Sequence, residues 1–312
     1  MVELDSYGYP DFFGFAYSED QLKTLRLLRN SLRYNESKVI LMVAPSFVVD
    51  FDFKKFVPLM RGLGFDLITE LTFGAKIVNK NYHKYIKENK KTKIKFISSV
   101  CPLSVNLLKA KYPDFSRFLL PFDSPMIAMA KVLKKHYPKH KIVFVSPCSA
   151  KKIESKQFNE KNKKTLIDVV ITFSELKQIV AKEKPRLVGS NIFDSFYNEY
   201  TKVYPLSGGL TETLHTKHIL EDEEMIFSDG CQNLQKLFGS NPDKIFYDIL
   251  FCEGGCIGGN GIVSKMPIVW KKNKVLKYRK AASRIKEGKK VGVTKYYKGI
   301  NFRREFWLSL FN

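Results

Sequence analysis

Short apolar runs alternate along the chain with stretches whose apolar residues recur at helical spacing. A continuous apolar run is typical of a strand buried on both faces, and a period of about 3.6 residues is typical of a helix packed on a sheet. We therefore predict an α/β protein with mainly parallel, twisted sheets flanked by helices. The predicted strands are 38–43, 65–71, 94–97, 141–145, 168–171, 224–227 and 245–251, and the predicted helices are 22–32, 53–61, 76–89, 102–111, 125–137, 173–181, 232–238 and a segment after Gly208 and Gly209.

A lysine- and asparagine-rich stretch near 154–166 interrupts this pattern. Because its apolar residues show no clear period, we predict a surface loop there, between two lobes. A length of 312 residues is sufficient for about two lobes with cores of their own. The predicted organisation is a helical lead-in at 1–37, a two-lobed domain at 38–264 and a basic tail at 265–312.

Positive charge is concentrated at one end of the chain. The 53 Lys and Arg residues outnumber the 31 Asp and Glu residues, and 265–312 alone carries a net charge of +13 out of +22. Such a tail indicates an anionic partner, or only a solvated lysine-rich surface. Nucleic acid is disfavoured because no nucleic-acid-binding motif accompanies the charge. With no membrane-length apolar run and no signal-peptide pattern, we expect no membrane span and a cytoplasmic location.

Four of the five cysteines directly follow predicted strands, where ligand sites of open α/β sheets gather. They are Cys101, Cys148, Cys252 and Cys256, and the last two lie in a glycine-rich loop. They could be small buried residues, or ligands of a structural zinc ion, whose cysteines usually form two close pairs. One close pair with two distant cysteines favours an iron–sulfur cluster in the cleft between two lobes. Cys231 is interpreted as a small residue at the start of a helix.

Three segments that contain these cysteines match a known pattern in order and approximate spacing. Residues 98–102, 146–154 and 250–259 are similar to T-S-C-C-P, M-P-C-x-x-K-x-x-E and M-A-C-P-x-G-C-x-x-G-G, and 207–212 is similar to T-G-G-V-M-E. Ser124 and the proline after it match a further S-P segment. From about residue 38 to 265 the chain therefore resembles the C-terminal, H-cluster domain of the [FeFe]-hydrogenase large subunit.

The resemblance implies a cofactor and the residues that hold it. Cys101, Cys148, Cys252 and Cys256 would bind a [4Fe–4S] cluster, and Cys256 would also bridge to a two-iron subsite in an active family member. The other residues implied to contact the cofactor or to hold the segments around it are Lys151, Glu154, Ser124, Gly208 and Gly209.

The sequence departs from the family at the positions that carry protons. Val100 stands where active hydrogenases have a proton-carrying cysteine, and Lys80 and His83 stand at positions of relay acids. We therefore expect an iron–sulfur protein with little or no hydrogen turnover, in a redox or hydrogen-sensing role. The alternatives are a divergent, ferredoxin-linked [FeFe]-hydrogenase with a two-iron subsite and slow reversible hydrogen oxidation, an iron–sulfur assembly scaffold, and a cluster-free protein whose tail binds a polyanion. Because no CxxCxxC relay motif occurs, we expect electrons to come from an acidic ferredoxin-type carrier or another protein.

Overall fold

The computed structural model describes residues 17–34, 37–92, 94–194, 196, 198–215, 219–282 and 293–304. The strands within these ranges are β1 (Val39–Val43), β2 (Leu67–Glu70), β3 (Phe96–Ile97), β4 (Lys141–Ser146), β5 (Val169–Thr172), β6 (Met225–Asp229) and β7 (Phe246–Leu250). The α-helices are α1 (Glu19–Tyr34), α2 (Phe56–Gly62), α3 (Thr72–Asn89), α4 (Pro102–Lys111), α5 (Pro113–Ser116), α6 (Pro125–His136), α7 (Ala150–Lys161), α8 (Phe173–Glu183), α9 (Gly209–Thr213), α10 (Cys231–Gly239), α11 (Ile268–Ala282) and α12 (Val293–Tyr297).

Two parallel sheets form the centres of the two lobes. The first has the strand order β2-β1-β4-β5, and the second has the order β3-β7-β6. In the first sheet Leu41 lies opposite both Ile68 and Val143, and in the second Tyr247 lies opposite Ile97. Every residue of β1, β5 and β7 is buried, as expected for strands covered by helices on both faces.

All seven predicted strands are confirmed, and most predicted helices differ only at their ends. The predicted helix 53–61 begins later, at Phe56, and the predicted helix 76–89 begins earlier, at Thr72. The predicted surface loop is wrong over 154–161, because these residues belong to α7. This helix buries only Ala150 and Ser155, so it has little apolar pattern, but its Ala, Lys, Glu and Gln residues have high helix propensity.

The lead-in and the basic tail both contain helices that pack on the core. Helix α1 lies in the second half of the lead-in, and residues 1–16 lie outside the described ranges. In the tail, α11 buries Lys271, Val275, Tyr278 and Ala282, while 283–292 and 305–312 are likewise outside. Within the described ranges, no helix combines the length and the apolarity that crossing a membrane requires.

A buried ion pair attaches α11 to the first sheet. Glu70, the last residue of β2, accepts a hydrogen bond of 2.5 Å from Lys202 Nζ, and neither side chain has any exposed surface. The Tyr278 hydroxyl of α11 lies 2.6 Å from Lys202 Nζ and donates to Glu70 Oε1 at 2.8 Å. Each charged group is therefore paired and hydrogen-bonded, which a fully buried charge requires.

Candidate metal centre

The four predicted ligand cysteines follow strands of both sheets. Cys101 lies between β3 and α4, and Cys148 between β4 and α7. Cys252 and Cys256 follow β7, on either side of a tight turn of glycines. All four are half-buried free thiols. The carboxyl ends of the strands thus present cysteines from both lobes, as the sequence pattern predicts.

These four thiols act on one another electrostatically. Burial raises the pKa of Cys256 well above its usual range, Cys101, Cys148 and Cys252 raise it further, and Lys151 opposes the shift. Burial raises the pKa of Cys252 to about 12, with further contributions from Cys101 and Cys148. Because such interactions weaken with distance, the four cysteines lie within electrostatic range of one another.

Glycines allow the loop that carries Cys252 and Cys256 to approach neighbouring backbone closely. Gly255 has φ +79°, and a Cβ there would lie 2.6 Å from the Pro205 oxygen. A Cβ on Gly259 would lie 2.4 Å from the oxygen of Pro147, the residue before Cys148. The Cys256 amide donates to the Pro205 oxygen at 2.7 Å. Side chains at these glycines would therefore push the loop away from Cys148.

Lys151 and Glu154, both predicted from the sequence, form an ion-pair chain at the edge of the cysteine group. Lys151 Nζ donates to Glu154 Oε2 at 2.6 Å and to the Val100 carbonyl oxygen at 3.1 Å. Arg304 donates to the other oxygen of Glu154 at 2.6 Å. Burial raises the pKa of Glu154, but Lys151 and Arg304 more than offset this and keep it below its usual range. The carboxylate stays charged and holds Lys151 beside the cysteines.

The remaining predicted residues contribute mainly through their place in the backbone. Ser124 is fully buried at the start of α6 and lies beside Glu154, whose pKa it helps to lower. Gly208 (φ +73°) precedes α9, and a Cβ on Gly209 would lie 2.0 Å from the Val203 oxygen. Both glycines are thus required by packing. Val100 is 7% exposed and packs in the larger hydrophobic cluster, which includes residues of both sheets.

Glu154 and Arg304 border a cleft that the sequence did not predict. It has a volume of about 270 Å³ and lies between α4, α6 and α7. Its lining includes Pro102, Asp123, Glu154 and Arg304. The outer side of the Lys151–Glu154 ion pair therefore faces a space that opens to the surface.

Arg304 and Tyr204 belong to the surroundings of the cysteines, and sequence reasoning missed both. Arg304 lies in the basic tail, where no local pattern separates it from the solvated lysines. Tyr204 is buried, and the thiol of Cys256 is one of the groups that act on it. It comes shortly before Gly208 and Gly209, and that proximity is the only signal in the sequence that could have drawn attention to it.

Contacts with other residues are present for three further residues that the sequence analysis discussed, Cys231, Lys80 and His83. Cys231 is the first residue of α10, and Gln235 of the same helix donates to its sulfur at 3.4 Å. On α3, Lys80 Nζ lies 5.5 Å from the centre of the Tyr297 ring, and His83 Nδ1 lies 3.3 Å from the Leu214 oxygen.

Comparison with known families identifies the class of protein that this fold and site define. Residues 37–260 match the family model described as the iron only hydrogenase large subunit, C-terminal domain. The chain belongs to this family. Iron hydrogenase 1 of Clostridium pasteurianum is 26% identical over 297 residues, a match that covers 75% of this chain and 51% of that protein. The chain therefore spans about half the length of this curated relative.

Solved structures show the same fold. A structure that describes oxygen inactivation of an [FeFe]-hydrogenase through its H cluster 2Fe subcluster superposes with a TM-score of 0.67, at 17% identity. The apo [FeFe]-hydrogenase HydA1 of Chlamydomonas reinhardtii, in a Cys-to-His variant, gives a TM-score of 0.65, also at 17% identity. Both matches cover 82% of this chain and 88% of the other. The two-lobed α/β architecture is that of the hydrogenase H-cluster domain.

Proposed function

We propose that this chain binds a [4Fe–4S] cluster through Cys101, Cys148, Cys252 and Cys256, and acts as a redox or hydrogen-sensing module with little or no hydrogen turnover. The main support is the approach of four free thiols from the strand ends of two lobes. Within the described residues, no three His, Cys, Asp or Glu side chains close around a single metal ion. Four cysteines of which only two are close in sequence suit a [4Fe–4S] cluster better than one zinc ion.

The chain's own residues fit such a group. A bound [4Fe–4S] cluster would supply one-electron transfer. The raised pKa values of the buried thiols mean that metal binding must displace protons from them, so loading becomes easier as the pH rises. Lys151 supplies positive charge beside the thiolates so formed, and Glu154 orients its ammonium group. Val100 has no ionisable group, so its side chain cannot supply a proton to the bound group.

The experiment that tests this function is anaerobic reconstitution with iron and sulfide. Iron counting, paramagnetic resonance and infrared spectra are then recorded. A four-iron signal without bands in the CO and CN stretching region is the expected result. A chain that binds no iron would contradict the proposal.

The divergent hydrogenase is the second candidate, and the position of Lys151 favours it. Lys151 acts on both Cys148 and Cys256, so its charge lies close to the cysteine from which a two-iron subsite would extend. Infrared bands of CO and CN ligands, in protein produced together with maturation enzymes, would support the divergent hydrogenase.

Replacing Val100 by cysteine tests whether proton delivery is what limits turnover. In protein loaded with a synthetic two-iron subsite, we expect Val100→Cys to raise hydrogen evolution by about 100-fold or more, since a positioned proton donor contributes roughly 10²–10⁴-fold to a rate. Gas chromatography with a reduced dye as electron donor measures the rate. Val100→Ser is the matched control, because a hydroxyl of similar size does not release a proton at neutral pH. Equal rates in both variants and the parent would show that position 100 is not the limit.

An acidic ferredoxin-type protein is the proposed electron carrier. Its support is the net charge of +22, which complements an acidic surface. We expect such a carrier to bind more weakly as salt is raised from about 0.05 to 0.5 M, because exposed charges are screened. Calorimetry or biolayer interferometry measures the affinity. Binding that does not change with salt would contradict charge-driven docking.

A further inference from the structure

The backbone on both sides of Tyr204 is fixed against the cysteine loop. Tyr204 follows a 3₁₀ turn at Tyr200–Val203, and the next residue, Pro205, accepts the hydrogen bond from the Cys256 amide at 2.7 Å. A Cβ on Gly255 would lie 2.6 Å from the same Pro205 oxygen. Tyr204 is therefore one residue away from direct backbone contact with a proposed ligand.

The Tyr204 hydroxyl is buried and lacks a hydrogen-bond partner among the residues that the structure describes. The residue is 9% exposed. Burial raises its pKa well above the usual value, and Tyr82, Asp248 and Cys256 raise it further, so the group stays protonated and able to donate. An unpaired buried hydroxyl is costly, and phenylalanine would fill the same space without that cost.

Two polar residues within electrostatic range of Tyr204 already have partners. The Tyr82 hydroxyl lies 3.0 Å from the Ser99 hydroxyl and accepts from the Ser99 amide at 2.9 Å. Asp248 accepts from the amide and the hydroxyl of Thr211, at 3.1 and 3.0 Å. Neither Tyr82 nor Asp248 is paired with Tyr204, and the Tyr204 hydroxyl keeps a hydrogen atom to donate, with no acceptor among the described residues.

We propose that the Tyr204 hydroxyl donates a hydrogen bond to an anionic acceptor of the iron–sulfur group held at Cys256. The acceptor is a sulfur of the cluster or a ligand of a two-iron subsite. The inference rests on the proposed function, because it requires a group bound at Cys256. The Tyr204 hydroxyl would then be a hydrogen-bond donor at this centre, whereas the side chain of Val100 has no polar group.

Tyr204→Phe tests the inference, with Tyr297→Phe as the matched control. Tyr297 also has a buried hydroxyl without a partner in the described residues, but it lies on α12 and packs against Phe302. Thermal unfolding of the apoproteins comes first. We expect the Tyr204→Phe apoprotein to be at least as stable as the parent, because its hydroxyl has no partner before the centre is loaded.

The three proteins are then reconstituted with iron and sulfide and transferred to D₂O. Pulsed paramagnetic resonance of the reduced centre should detect an exchangeable deuteron in the parent and in Tyr297→Phe, and this coupling should be lost in Tyr204→Phe. The midpoint potential of Tyr204→Phe should shift to more negative values, because a hydrogen-bond donor stabilises the reduced, more negative centre.

A second set of the same three proteins, loaded with a synthetic two-iron complex, identifies the acceptor. A shift of the CO or CN bands in Tyr204→Phe assigns the bond to a subsite ligand, and unchanged bands with a lost deuteron coupling assign it to a cluster sulfur.

The possible failures are distinguishable. If all three proteins form the iron–sulfur signal and share the same deuteron coupling and potential, the inference is wrong and the proposed function stands. If the parent forms no iron–sulfur signal, the proposed function fails and the inference fails with it.

Discussion

Replacing Cys148 by serine abolishes stable iron binding, leaving at most about a tenth of the iron that the parent protein retains. Even residues that only orient a metal ligand change metal affinity by roughly 10–100-fold, so the loss of a ligand should have at least this effect. The parent should hold about four iron atoms per chain if all four cysteines bind one cluster. Iron is measured by colorimetric assay after anaerobic reconstitution and gel filtration.

Cys231→Ser is the matched control for this loss. It removes the fifth thiol, at the start of α10, where the sulfur accepts a hydrogen bond from Gln235. We expect this variant to keep the iron content and the paramagnetic signal of the parent. Equal iron in the two variants, whether both high or both low, would contradict the assignment of Cys148 as a ligand and Cys231 as a bystander.

Lys202→Met produces the largest expected loss of stability. The substitution leaves the Glu70 carboxylate buried, with the Tyr278 and Thr72 hydroxyls as its remaining hydrogen-bond donors among the described residues. Removing one partner of a buried ion pair lowers the free energy of unfolding by about 3–5 kcal/mol, because an uncompensated charge stays inside the protein. Urea unfolding followed by circular dichroism, with the slope held common between variants, measures the free energy of unfolding.

The double variant Lys202→Met, Glu70→Gln distinguishes the effect of the charges on stability from the effect of side-chain packing. Removing both charges should recover a large part of the loss, since no unpaired charge then remains. Lys202→Arg is a second comparison, because it keeps the charge but changes the shape of the donor group. A single-variant loss below about 1 kcal/mol, or a double variant as unstable as the single one, would contradict the role of the pair.

The sequence was sufficient to predict the fold and the position of the four cysteines after strands, for physical reasons. Strands such as β1 and β4 are buried on both faces, so they appear as continuous apolar runs. Cys148 and Cys252 directly follow such runs, and parallel strands end at one edge of a sheet. Lys151 and Glu154 were identified because residues 146–154 are similar to the family motif M-P-C-x-x-K-x-x-E, and in the structure the two side chains form an ion pair.

The residues that could not be predicted depend on contacts between distant parts of the chain. Helix α7 was taken for a loop because its buried face is too small to produce an apolar period. The bond from Arg304 to Glu154 joins residues 150 positions apart, inside a region with many other cations. The missing partner of the Tyr204 hydroxyl is a property of the folded surroundings and has no local signature.

The contact between Arg304 and Glu154 also has a consequence for the order of events during synthesis. All four proposed ligands lie in the first 256 residues, so they leave the ribosome before Arg304 does. Until then Glu154 has only Lys151 as a cationic partner in the pairs described. The charge balance beside the cysteines is thus completed only once the growing chain includes Arg304, well after the last proposed ligand has been made.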